Sequence, residues 1–156
     1  MSNTENIKLL RSETGAGVMD AKRALEEANN DFDKAKEILK EKGIADAEKR
    51  ASRVTGQGII ESYIHQGNRL GAIIEINCET DFVARTSEFK ELAKNLAMQI
   101  AAMDPASIDD DNDALMEQQY IKDSDKLIKE LVQEVIAQTG ENIKIKRFQR
   151  FEVGGE

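Results

Sequence analysis

Seven consecutive residues, Glu79-Thr80-Asp81-Phe82-Val83-Ala84-Arg85, place a carboxylate and an aromatic ring side by side. A strand from Leu70 to Cys78 ends just before them and a helix opens near Ser87, so they form a short connector, and element ends are where proteins put groups meant for a partner. The chemistry on offer is noncovalent. Each residue also has a structural alternative, since Asp81 can cap the next helix or close a turn, and Phe82 can fill a core beneath it.

Covalent chemistry has no comparable constellation. The chain contains one histidine, His65, and one cysteine, Cys78. A lone His beside a hairpin turn has neither a nucleophile nor a metal partner, and a lone Cys at the end of an apolar strand reads as a small buried hydrophobe. No Ser-His-Asp order and no phosphate-cradling Gly-x-x-x-x-Gly-Lys-Ser or Thr loop occurs. Thr14-Gly15-Ala16-Gly17 is too short for a dinucleotide fingerprint, and no strand precedes it. The acidic stretch Asp104 to Asp113 lacks the ligand spacing and closing Glu of a calcium hand, and reads as a mobile or solvated loop. The sequence therefore predicts no catalytic residue, metal or cofactor, and points to a protein that acts by binding.

At 156 residues, 40% hydrophobic and 33% charged, the chain suits one globular domain, or one with a small satellite. Residues 1–55 are neutral overall, and the net charge of -8 lies after them. An acidic chain without a basic stripe disfavours direct nucleic-acid binding. No apolar run is long enough to suggest a membrane span, and Met1-Ser2-Asn3-Thr4-Glu5 has no signal pattern, so a cytoplasmic location is expected.

Three amphipathic helices are predicted first: one capped by Asn3 or Thr4 with Ile7 and Leu10 inward, one with Val18, Ala21, Leu25 and Ala28 on a face, and one capped by Asp31 and ended by Gly43. Residues 44–57 read as a helical extension or linker. From Gly58 the period becomes two, giving a hairpin with its turn at Gln66-Gly67-Asn68-Arg69 and with Ile74 and Ile76 sharing a face. The helix after the connector carries Phe89, Leu92, Leu96, Ile100 and Met103, and stops at Asp104-Pro105. Ala114 to Gln138 is helix-forming with an interruption near Asp123-Ser124-Asp125, and Gly140 ends it. Ile143 to Val153 is the last strand, with a change of face around Phe148 that suggests a bulge.

Several segments resemble signatures of the elongation factor Ts family. Leu10 to Leu25 is similar to its opening motif and Glu75 to Ala84 to its central one. Thr139 to Arg147 and Arg150 to Gly154 are similar to later ones, so matches run in order from about Leu9 to Gly154. The resemblance implies an α+β fold: a three-helix ubiquitin-associated-like unit at 1–43, a helical linker at 44–57, and an α+β core at 58–156 with a small antiparallel sheet packed with helices. It implies a guanine nucleotide exchange factor for elongation factor Tu, with Thr80, Asp81, Phe82 and Val83 wedged near the partner's magnesium site. It also implies a second contact through Leu10, Arg11, Gly15, Ala16, Gly17, Val18, Met19 and Asp20. Leu10, Val18 and Met19 equally fit the helical core pattern. Longer family members carry two core halves, whereas this chain has room for one, which leads to the expectation of a homodimer. The alternative is a ubiquitin-associated-like adaptor that binds a helix or peptide without affecting nucleotide and keeps Asp81 and Phe82 in the core.

Overall fold

The structure is a computed structural model that describes residues 3–110 and 112–155. Its contacts separate two compact units, Met1–Ser52 with Gln133–Gly140, and Arg53–Val132 with Glu141–Glu156. Together they form the expected α+β arrangement of a helical unit followed by a small antiparallel sheet packed with helices.

The first unit contains α1 (Asn3–Thr14), α2 (Val18–Glu27) and α3 (Phe32–Arg50). Leu10, Ala21, Leu25 and Ala35 are buried where they meet, with Ile7, Phe32 and Ile38 at the margin. The many alanines let the three axes approach closely, so a few large side chains suffice for this core. Asp31 caps α3 by accepting from the Lys34 N–H at 3.1 Å. Gly43 does not end α3, as the sequence suggested, because the following Ile44 to Arg50 are mostly good helix formers that outweigh the cost of about 1 kcal/mol for one glycine. Between α1 and α2, Gly15 has φ +72°, and a Cβ there would run into the Gln138 side chain. Only glycine satisfies both constraints without strain.

The strands, in chain order, are β1 (Gln57–Ile64), β2 (Leu70–Cys78), β3 (Gln119–Tyr120), β4 (Asp123–Leu127) and β5 (Lys144–Glu152). The main sheet has the order β1-β2-β5 and is antiparallel throughout. Ala72, Ile74, Ile76 and Cys78 point to one face and are buried. Two helices follow β2, the single turn α4 (Asp81–Ala84) and α5 (Ser87–Met103), and α5 lies on β1 and β2 with Phe89, Leu92, Leu96 and Ile100 buried. Asp104 ends α5 in the left-handed conformation before Pro105. Arg147 to Glu152 and Lys144 to Ile145 pair with β2 in two registers, and the shift between Glu75 and Ile76 leaves Lys146 as the extra residue. The bulge is thus two residues before Phe148.

The interruption expected near Asp123-Ser124-Asp125 is present, but residues 114–122 before it are not helical as expected. Residues 114–127 form a short 3-10 turn, Leu115–Glu117, and then the β3-β4 hairpin, while α6 spans Ile128–Thr139. The reason is tertiary. The fully buried amide of Gln99 on α5 donates to Gln119 O at 3.0 Å and to Gln118 Oε1 at 3.2 Å, and it accepts from the Ile121 N–H at 3.0 Å. These bonds satisfy extended backbone that a helix would have paired internally. The acidic stretch preceding it is exposed at Asp109, Asp110 and Asp113, but its base is closed by Leu115 N–H to Ser107 O at 2.9 Å and Met116 N–H to Ile108 O at 3.0 Å. Asp111 lies outside the described residues, as do Met1, Ser2 and Glu156.

Replacing Gln99 by Leu keeps the volume but strands those backbone groups. Urea denaturation is expected to show a loss of about 1–3 kcal/mol, whereas unchanged stability would mean that the hairpin does not depend on the Gln99 amide.

Candidate functional site

The connector after β2 is fixed by side chains that flank neighbouring strands at one end of the sheet. Glu141, just before β5, accepts at Oε1 from the backbone N–H groups of Glu79 at 3.1 Å and Thr80 at 2.9 Å. Its Oε2 accepts the Thr80 hydroxyl at 2.7 Å. Glu79 returns the contact, accepting the Asn142 N–H at 2.7 Å. Asn142, itself buried, donates its side-chain amide to Arg53 O at 2.9 Å, and the Arg53 guanidinium lies 3.4 Å from Glu79. Charged acceptors bonded to backbone N–H groups are among the stronger hydrogen bonds in proteins, so this exchange ties Glu79 and Thr80 to one backbone path.

Thr80 carries α4 forward from that path. Its hydroxyl oxygen accepts from the Val83 N–H at 3.3 Å, which makes Thr80 the N-cap. Asp81 is therefore not the cap. Its carboxylate meets the Arg85 guanidinium at 2.9 Å one turn later, on the surface. Val83 is half-buried and Ala84 is buried, so a single turn leaves Phe82 on the outer side, 76% exposed. The buried aromatic residue nearby in sequence is Phe89 on α5, at 0%. Phe82 thus has no place in the core, and the ring and the Asp81 carboxylate emerge together from a short, doubly anchored turn.

The candidates of the helical unit fall into different classes. Leu10 is fully buried and supports the surface from below. Gly15 and Ala16 are half-buried in the α1-α2 turn, which Arg11 steadies by donating to Ala16 O at 3.3 Å. Gly17 is the exposed N-cap position of α2, followed by Val18 and Met19 at 48% and 56% exposure. Asp20 pairs with Lys42 on α3 at 2.9 Å, which raises the Lys42 pKa chiefly through that hydrogen bond. Val18 and Met19 therefore form the accessible apolar pair, while Leu10 belongs to the core.

Sequence reasoning gave no role to Glu79, Glu141 or Asn142, although all three lay inside the quoted segments. Their partners are about sixty positions away, and no local spacing reports such a pairing. Cys78 is buried and donates to Thr80 O at 3.1 Å. Burial pushes its thiol up to about 11, and the nearby Glu141 carboxylate adds to the rise. His65 is exposed, its Nδ1 2.9 Å from the Tyr63 hydroxyl. Among the described residues, no helix is long and apolar enough to cross a membrane.

Comparison with known proteins points in one direction. A family profile described as Elongation factor TS matches residues 18–114. Elongation factor Ts of Thermotoga maritima is 47% identical over 187 aligned residues, covering 95% of this chain and 94% of the relative. The chloroplastic elongation factor Ts of Guillardia theta is 46% identical, covering 97% and 89%. That of Carboxydothermus hydrogenoformans is 43% identical, covering 99% and 90%. An alignment of 187 residues is longer than the 156-residue chain, so within the matched span the relative carries residues that this chain lacks.

Two outcomes follow from the burial pattern. Phe82→Ala is expected to change folding stability by less than about 0.5 kcal/mol, as exposed positions do; a loss of about 3–5 kcal/mol in urea denaturation would return the ring to the core. Native Cys78 should react with iodoacetamide at pH 8 at least about a hundredfold more slowly than in urea, because a raised pKa lowers the thiolate fraction. Its rate should still climb between pH 9 and 11, where an ordinary thiol has levelled; equal rates in the two states would contradict the buried assignment.

Proposed function

The chain belongs to the elongation factor Ts family of translation elongation factors, and from that membership we propose that it is a guanine nucleotide exchange factor for elongation factor Tu. It binds the GDP-bound partner and hastens GDP release without making or breaking a covalent bond. The observation that carries this reading is the ring of Phe82, 76% exposed on a turn whose first residue is held by the Glu141 carboxylate. In a chain with only 4% aromatic residues, a ring held in water has more use for a partner than for the fold.

Phe82 enters an apolar slot in the nucleotide-binding domain of the partner, and Asp81 arrives beside the magnesium and phosphates. Magnesium neutralises the GDP phosphates, so displacing the groups that hold it or present backbone amides to phosphate weakens the nucleotide. Each tenfold weakening requires about 1.4 kcal/mol of coupling. Full burial of one Phe is worth roughly 1.5–3 kcal/mol, so the ring accounts for about ten- to a hundredfold. Larger effects draw on the rest of the interface, including Val18 and Met19 on the helical unit. Arg85 holds Asp81 in place until the partner competes for that carboxylate. The adaptor reading places Phe82 in the core, and the exposure of the ring weighs against it.

A homodimer is part of this proposal. The sheet face opposite α5 exposes Ile60 and Ile64 on β1, Ile73 on β2 and Phe151 on β5. In the strand pairing Gly71 sits between Ile64 and Phe151, leaving a shallow apolar groove beside Ile73. Two such faces pair by a two-fold axis, each covering the other's apolar side chains.

With fluorescent GDP on elongation factor Tu, the chain is expected to accelerate release in a saturable way, and Phe82→Ala to reduce that acceleration by about ten- to a hundredfold. Release that ignores the chain would contradict the exchange reading. Light scattering at micromolar concentration should give twice the chain mass, and Ile73→Lys should shift it toward one; a monomeric wild-type chain with full exchange activity would remove the dimer.

A further inference from the structure

The exchange reading assigns roles to the residues that reach the partner, but the structure also shows what aims them. The connector could have been an ordinary flexible loop. Instead, every backbone N–H donor from Glu79 to Thr80 ends on one carboxylate, that of Glu141, at 3.1 and 2.9 Å. The hydroxyl of Thr80 gives its proton to the same carboxylate at 2.7 Å and uses its oxygen to cap α4 through the Val83 N–H at 3.3 Å. Thr80 is therefore fully engaged within the chain, and it links Glu141 directly to the first turn of the helix that bears Phe82.

Resting on the exchange reading, we propose that Glu141 is a positioning residue for nucleotide release, setting the direction of α4 through Thr80 so that Phe82 and Asp81 meet the partner in one pose. The argument is geometric. Phe82 lies two residues beyond Thr80, and a turn of four residues has little cooperativity of its own, so its orientation depends on its cap together with the packing of Ala84. A single threonine hydroxyl can rotate between partners; with its proton directed to Glu141, its acceptor side is left facing the Val83 N–H. The reciprocal contact from Glu79 to the Asn142 N–H at 2.7 Å holds the Glu141 backbone in register, so the carboxylate is itself aimed. Loss of the carboxylate would let α4 sample several directions, and only the fraction in the productive one would act at once on the partner.

A purely structural glutamate would lower stability and weaken all uses of the fold alike. A positioning residue acts through the ring, which separates the two by a double-mutant cycle. The full-length chain, Glu141→Ala, Phe82→Ala and the double variant are compared for melting and for maximal GDP release and half-saturation with elongation factor Tu. Glu141→Ala is expected to lower maximal release by about tenfold with less change in half-saturation, since the helical unit still docks. In the Phe82→Ala background the same substitution should change release by less than about twofold. Glu141→Gln keeps an acceptor for the two backbone amides and loses only the hydroxyl acceptor, so it should cost about two- to threefold. If Glu141→Ala does not fold, the cycle is run with Glu141→Gln and the same non-additivity is expected.

Fully additive losses, or undiminished release by folded Glu141→Ala when Phe82→Ala is impaired, would overturn the inference and leave the exchange reading standing. Full-rate release by Phe82→Ala would instead remove the wedge reading and the inference with it.

Discussion

Two carboxylates that exchange hydrogen bonds across the end of a sheet govern the arrangement of this molecule's exposed site. Glu141 receives the N–H groups of Glu79 and Thr80, and Glu79 receives that of Asn142. Where β2 and β5 cease to pair, their backbone donors would otherwise need water, and mobile loops would follow. The exchange extends sheet-like order a few residues beyond the ladder. It therefore lets a side chain be displayed in water at a defined place, which a loop alone does poorly.

That order explains how an aromatic ring is displayed outside the core. α4 is a single turn in which Ala84 is buried and Val83 half-buried, while the buried aromatic residue is Phe89 on α5. Exposing Phe82 forgoes roughly 1.5–3 kcal/mol of burial, a free energy that is then available at an interface. Asp81 and Arg85 at 2.9 Å form an exposed pair of small intrinsic worth, which makes the carboxylate easy to redirect. The same economy holds on the helical unit, where Leu10 is buried and Val18 and Met19 are displayed.

Much of the scaffold was legible in the sequence because local pattern decided it. The hairpin with β2 at Leu70–Cys78 follows from alternation and a Gln66-Gly67-Asn68 turn, and α5 from its apolar stripe and the Asp104-Pro105 stop. The interruption expected near Asp123-Ser124-Asp125 falls in β4, but residues 114–122 are not the helix expected, because the buried Gln99 amide, distant in sequence, holds the backbone at Gln119 and Ile121 extended. Residues 44–50 continue α3, one of the two readings of 44–57, and the bulge expected around Phe148 lies two residues earlier, at Lys146. At the site, the sequence located the connector but left Phe82 between core and surface, since one helical turn has no periodicity to read. The role of Glu141, inside the segment Thr139 to Arg147, is not legible there, because it lies in a contact with Thr80 across the sheet.

The central claim is that the Phe82 ring passes from water into a partner. It can be measured directly by placing 4-fluorophenylalanine at position 82 and following its fluorine resonance with a soluble paramagnetic agent, before and after adding elongation factor Tu with GDP. The account predicts strong solvent relaxation in the free chain, in keeping with 76% exposure, and protection with a shifted resonance in the complex. A ring that is equally accessible in the bound chain would contradict it.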